Sequence, residues 1–192
     1  MAFQNYRVYI ALTLAAIGLQ AFTTAAEARI YTGVVTHVTD GDTLWVRTSA
    51  HGAARKVRFQ GIDAPESCQV WGTQAAAALT QRVQFKTVQL ITRARDDYGR
   101  MLATVILDGD DVGRWMVVNG HAWSYHYRRN LGPYATEETQ ARASGRGLWS
   151  QAALEPREFR KQHGACRMAV HPVRGGHAID GIVFGRFSRV AL

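Results

Sequence analysis

The sequence is short of cysteine, of acid and of long apolar runs, and each shortage excludes something. Its 192 residues hold two cysteines, Cys68 and Cys166. No CxxC or HxxxH spacing accompanies them, which argues against a structural zinc site. Asp and Glu number 15 against 23 Lys and Arg, a formal charge of +8. Such a surplus points to an anionic partner, whether nucleic acid, a membrane surface or another polyanion; solubility alone is the plainer explanation. There is no internal repeat. With 47% apolar residues the chain can pack a core, which excludes a disordered chain. The length suits one domain of ordinary size plus extensions.

The longest apolar stretch runs from Val8 to Phe22 and is interrupted by Gly18 and Gln20, too short a run for a membrane-spanning helix. It follows a short segment with Arg7 and leads to Ala26-Glu27-Ala28, a small-x-small cleavage pattern. Residues 1–28 therefore read as a secretory signal peptide, cut after Ala28 or alternatively after Ala26, an uncleaved N-terminal anchor being the competing reading. Cutting after Ala28 removes Arg7 and Glu27 together, so the mature charge stays +8. The product is expected to keep no stable membrane span and to be exported, to a periplasm or outside the cell. Export carries Cys68 and Cys166 into an oxidising compartment, where a disulfide between them and two free thiols are both open.

Five strands are expected: Ile30–Val38, Thr43–Thr48, Lys56–Ile62, Thr87–Ala94 and Met101–Gly109, with turn chemistry between them. "GTQAAAALTQRV" reads as a helix whose Ala75, Ala78, Leu79 and Val83 share a face. A short helix over Val112–Asn119 buries Val112, Trp115 and Met116 and is capped by Gly120. A third helix spans Ala135–Ser144, and Trp149 after it is expected in the core. That order is not a βαβ alternation and suggests a small twisted barrel with helices packed around it. The segment 164–192 is basic and glycine-rich without a period, and reads as a tail; its Arg167, Arg174, Arg186 and Arg189 also suit a tail that binds anionic lipid or polymer.

Three charged clusters sit where strands end or turn: Asp40-Gly41-Asp42-Thr43, Arg58 through Asp63 to Glu66, and Asp97 to Arg100. Asp and Gly are poor strand residues, so the break inside "VTDGDTLWV" needs a turn or a site to justify it. A hard cation such as calcium takes oxygen ligands from carboxylates, carbonyls and water. Arg58 and Arg100 supply guanidinium groups, poor acids but good clamps for phosphate oxygens. Arg58 and Asp63 are five apart and point to opposite faces of a flat strand, so they converge only if the chain bends between them, where Gly61 permits it.

"VTDGDTLWV", "VRFQGIDAPES", "DDYGRMLATVI", "DVGRWMVVNGHAW" and "RASGRGLWS" occur in one order, and together they resemble the staphylococcal nuclease family over Ile30 to about Trp149. The resemblance implies an α+β fold, a five-stranded OB-type barrel with three helices, over residues 29–163. It implies a calcium-dependent phosphodiesterase acting on DNA and RNA, in which water attacks phosphorus and 3′-phosphate ends result. Carried over by motif, Asp42 and Asp63 are calcium ligands, with the backbone carbonyl of Ala64 as a third. Glu66 orients or deprotonates the water, and Arg58 and Arg100 clamp the scissile phosphate. Asp40 and Thr43 are supporting residues, Tyr98 a contact to a terminal phosphate, and Tyr127 a tyrosine beside the nucleotide. Ala64 replaces a family threonine, and Asp97 stands where the family often has lysine. A monomer is expected. The rival from another class is a non-catalytic OB-fold nucleic-acid-binding protein.

Overall fold

A computed structural model describes residues 27–126 and 129–164 together with Cys166. The expected signal segment (except residues 27 and 28), Tyr127 and most of the tail lie outside the described residues. Strands β1 (Arg29–Asp40), β2 (Thr43–Arg47) and β3 (Arg55–Phe59) form an antiparallel meander. A two-residue strand β4 (Ile62–Asp63) and helix α1 (Gly72–Val83) precede β5 (Thr87–Arg95) and β6 (Met101–Leu107). The sheet order β3-β2-β1-β5-β6 closes on itself because β3 also pairs parallel with β6, giving a five-stranded barrel. Closure removes the free edges that an open sheet would expose.

The chain continues through β7 (Asp110–Asp111), α2 (Val112–Val118), β8 (Trp123–Ser124), α3 (Ala135–Ala143), a 3₁₀ turn (Gly147–Ser150) and α4 (Pro156–His163). There are thus four helices among the described residues rather than the three expected. The additional one, α4, buries only its first residue, Pro156. Without an apolar stripe it lacks the period from which a helix is read.

Alternation sets the barrel interior. Met101, Ala103, Val105 and Leu107 of β6 point inward, as do Val88 and Leu90 of β5. Helix α1 lays Ala75, Leu79 and Val83 on this core, while Ala78 is half-buried. Helix α2 buries Val112, Gly113, Met116 and Val117. Trp115, expected inside, only packs against the core's edge. Trp149 is likewise half-exposed; Leu148 is the residue that fills the core, and Trp149 lies edge-on to Trp123 with Arg142 over its ring at 3.8 Å.

Two local features aim side chains at the site. The β1–β2 ladder slips register between Val35 and His37 and again between Val38 and Asp40, and such bulges sharpen strand twist. Gly41, in the turn that follows, sits so close to Ala64 and Ala75 that a Cβ there would lie 2.7 Å from the Cβ of Ala64. That contact holds the Asp40–Asp42 turn against the turn after β4. Gly61 has φ of 83° and breaks the third predicted strand in two. Beyond it Ile62 and Asp63 leave the barrel ladder and pair with Ser124 and Trp123.

Candidate active site

Asp42 ends a tight turn closed by the Asp40–Thr43 pair. The Asp42 amide donates to Asp40 Oδ1 at 3.0 Å, an Asx turn that fixes the loop. The Asp42 side chain is buried and fully engaged. Its Oδ2 accepts the Ala64 amide at 2.8 Å, and its Oδ1 accepts the Thr43 hydroxyl at 3.1 Å. Arg58 Nη1 forms an ion pair with the same Oδ2. The other arm, Nη2, donates to Asp63 Oδ1 at 2.9 Å. One guanidinium therefore spans both aspartates, and the bend at Gly61 brings Arg58 and Asp63 to the same side.

Glu66 follows in the turn after Asp63. Its amide donates to Gln69 Oε1 at 3.1 Å, and Gln69 is itself buried. Arg100 is held by Asp96, which accepts its Nε at 2.6 Å and its amide at 2.8 Å. The Asp96 carboxylate also takes the Tyr98 amide at 3.0 Å, so one aspartate organises the whole "DDYGR" turn. The Tyr98 ring is 85% exposed and lies 5.4 Å from the Arg100 guanidinium carbon.

The three turns and β3 meet at one open cavity of about 540 Å³. Asp40, Asp42 and Thr43 line it from the first turn, Arg58 from β3, Asp63, Ala64 and Glu66 from the second turn, and Tyr98 and Arg100 from the third. Tyr127 lies outside the described residues. Next to it is a groove of about 730 Å³ with Phe59, Ile62, Leu102 and Tyr125 in its walls. Arg58 and Arg100 line both spaces.

A further residue joins the wall of both, one that the sequence reading passes over. Arg160, on α4, donates from Nη1 to Glu66 Oε1 at 2.6 Å and from Nη2 to Asp63 Oδ2 at 3.2 Å. A bond between Cys68 and Cys166, 98 positions apart, links the Glu66 turn to the chain just beyond α4. The two cysteines are the sequence signal that leads to Arg160, since pairing them carries α4 to the turn after Glu66.

Charge is crowded here. Burial and the neighbouring Asp42 charge push the Asp40 carboxyl up to about 7. Burial opposes ionisation of Asp42 too, but the Arg58 charge and the Ala64 amide outweigh it and hold Asp42 below the usual carboxylate range. Asp63 is raised by burial and by the Asp42 charge, against the pull of Arg58 and Arg160. Burial disfavours the Arg58 cation, yet Asp42 and Asp63 hold its proton more tightly than usual. The Asp42 and Asp63 carboxylates converge on one cavity, an arrangement that suits a hard cation. Among the described residues no three acidic, histidine or cysteine side chains form a metal cage. An ion here would draw on Asp42, Asp63, a backbone carbonyl and water, an all-oxygen set that suits calcium.

Residues 56–151 match the family model described as staphylococcal nuclease homologue. An uncharacterized endonuclease of Haemophilus influenzae is 35% identical over 129 residues, covering 67% of this chain and 72% of the relative. An uncharacterized endonuclease of Escherichia coli is 38% identical over 125 residues, 65% of this chain and 80% of the relative. A probable staphylococcal-like nuclease of Oryza sativa subsp. japonica is 35% identical over 107 residues, 55% of this chain but 32% of that longer protein.

Proposed function

The chain belongs to the staphylococcal nuclease family, and on that premise we propose that it is an exported, calcium-dependent endonuclease that hydrolyses DNA and RNA to 3′-phosphate ends. What carries the reading is the span of Arg58 across Asp42 and Asp63, beside Glu66 and Arg100 in one cavity. Asp42, Asp63 and the Ala64 carbonyl would hold calcium, which when bound supplies Lewis acidity and a template for the diester.

The chain's own groups divide the remaining work. Thr43 and the Ala64 amide fix the Asp42 carboxylate, so the first turn presents its charge in one orientation. Arg58 and Arg100 meet the charge that develops on the phosphoryl oxygens as water adds. Glu66 aligns the attacking water and accepts its hydrogen bond. The leaving 5′ oxygen departs on the opposite side. In the groove, Leu102 and the exposed Tyr125 offer apolar and aromatic surface for a base. Tyr98 stands at the rim, where a terminal phosphate would pass. A net charge of +8 favours a polyanionic substrate without choosing between DNA and RNA.

Export rests on the N-terminal pattern and on the Cys68–Cys166 bond, which persists in an oxidising compartment. The protein is proposed to act as a monomer, since one chain supplies every group named. Digestion of plasmid and of RNA by the purified mature chain tests the reading. Cleavage of both in calcium, and none in chelator, is expected; undiminished cleavage in chelator removes the metal, and no cleavage in any condition favours a binding protein.

A further inference from the structure

Helix α4 is tied to the Glu66 turn at both of its ends. Before the helix, Gln69 Nε2 donates to the Leu154 carbonyl at 2.6 Å while Gln69 Oε1 accepts the Glu66 amide at 3.1 Å. After the helix, Cys166 is bonded to Cys68, two positions past Glu66 in the chain. Between the ties Arg160 bridges Glu66 and Asp63. Both α4 and Cys166 lie beyond residue 151, where the family match ends.

The helix does not hold itself in place. It has eight residues and buries only Pro156, too short and too polar to be stable alone. The Arg160 side chain is 38% exposed, and ion pairs that open to water contribute little to docking. The covalent tie therefore has a local task, keeping Arg160 over Glu66, besides its effect on the whole fold. Glu66 in turn gains from being held. Its carboxylate rides on a flexible stem in a turn, and Arg160 anchors one of its oxygens by a charge-assisted hydrogen bond while the other arm of the guanidinium holds Asp63. A prealigned carboxylate spends less entropy in ordering a water. The same guanidinium lets Glu66 and Asp63 stand close without mutual repulsion.

We propose that Arg160 is a positioning residue for Glu66, delivered by α4 and kept in register by the Cys68–Cys166 bond, so that turnover depends on that bond being intact. The proposal rests on the nuclease reading above. It extends the site past the family segment and ties the rate to the thiol state of the protein.

The test uses the full mature chain on a single-stranded oligonucleotide in calcium, with melting temperature recorded for every variant. Arg160→Ala is expected to lower kcat at least about tenfold while KM moves less than about threefold, since alignment rather than binding is lost. Arg160→Lys recovers part of kcat, because it restores the charge without the fork. Cys68→Ser with Cys166→Ser lowers kcat comparably, and amide exchange over 156–163 speeds up. Adding Arg160→Ala to that pair costs little more, as coupled residues are not additive. Unchanged kcat in Arg160→Ala overturns the proposal, as do additive losses. A rise in kcat also overturns it and makes α4 a plug. An inactive wild-type chain overturns the nuclease reading itself, an outcome distinct from an active wild type indifferent to Arg160.

Discussion

Glu66 Oε1 and Arg160 Nη1 are 2.6 Å apart although 94 positions separate them in the chain. The pair joins a turn at the mouth of the barrel to a helix past the family segment. It places a third guanidinium beside the two that line the cavity from β3 and the Asp96 turn. Three cations and four carboxylates thus share one opening, an arrangement suited to a substrate that is an anion and an ion that is not.

Glu66→Ser is expected to reduce kcat by about 10² to 10⁴, the range for loss of a positioned acid–base group. Oligonucleotide affinity measured in chelator should change little, because Arg58 and Arg100 remain. Cleavage near the wild-type rate removes Glu66 from the mechanism.

Asp42 separates charge from structure. Asp42→Asn keeps an oxygen for the Ala64 amide and should fold well yet lose most activity. Asp42→Ala leaves that buried amide unpaired, a cost of about 1 to 3 kcal/mol on top of the lost activity. Urea unfolding of the two variants distinguishes them; equal stabilities contradict the bond to Ala64.

The Cys68–Cys166 bond closes a span of 98 positions. On the chain-entropy treatment, replacing both cysteines by serine should cost about 4.7 kcal/mol in unfolding free energy. Denaturant curves of the variant, and of the wild type with a dithiol reductant, should fall together. Efficient thiol labelling of the native protein contradicts the bond.

His121 lies between the indoles of Trp71 and Trp115, and Trp71 Nε1 donates to its Nδ1 at 3.2 Å. An indole nitrogen only donates, so Nδ1 is unprotonated and the ring neutral. Burial holds its pKa below the ordinary imidazole value. A base depressed in the folded state gives stability that is present above its unfolded pKa of about 6.5 and is lost as pH falls through the folded value. Melting temperature should therefore decline on acidification through that window, and His121→Gln should flatten the decline. An unchanged slope contradicts the assignment.

The barrel was legible because its strands alternate: Met101, Ala103, Val105 and Leu107 fall inward by parity alone. Helix α1 was legible from the spacing of Ala75, Leu79 and Val83. The meeting of Arg58 with Asp63 required only that Gly61 bend the chain, a local matter. Trp115 and Trp149 were placed too deep, because an indole satisfies burial on one face while Arg82 or Arg142 covers the other. Helix α4 was illegible: "PREFRKQH" carries one large apolar residue, Phe159, and its docking is set by partners about a hundred positions away. Arg160 was hidden with it, since no local pattern marks an arginine whose meaning lies in a distant glutamate.

Calcium binding to the mature chain, followed by isothermal titration calorimetry without substrate, bears most directly on the pairing of Asp42 with Asp63 around an ion. One calcium per wild-type chain is expected, and none in Asp63→Asn under the same conditions. Equal binding by both proteins, or none by the wild type, would contradict a metal held between the two turns.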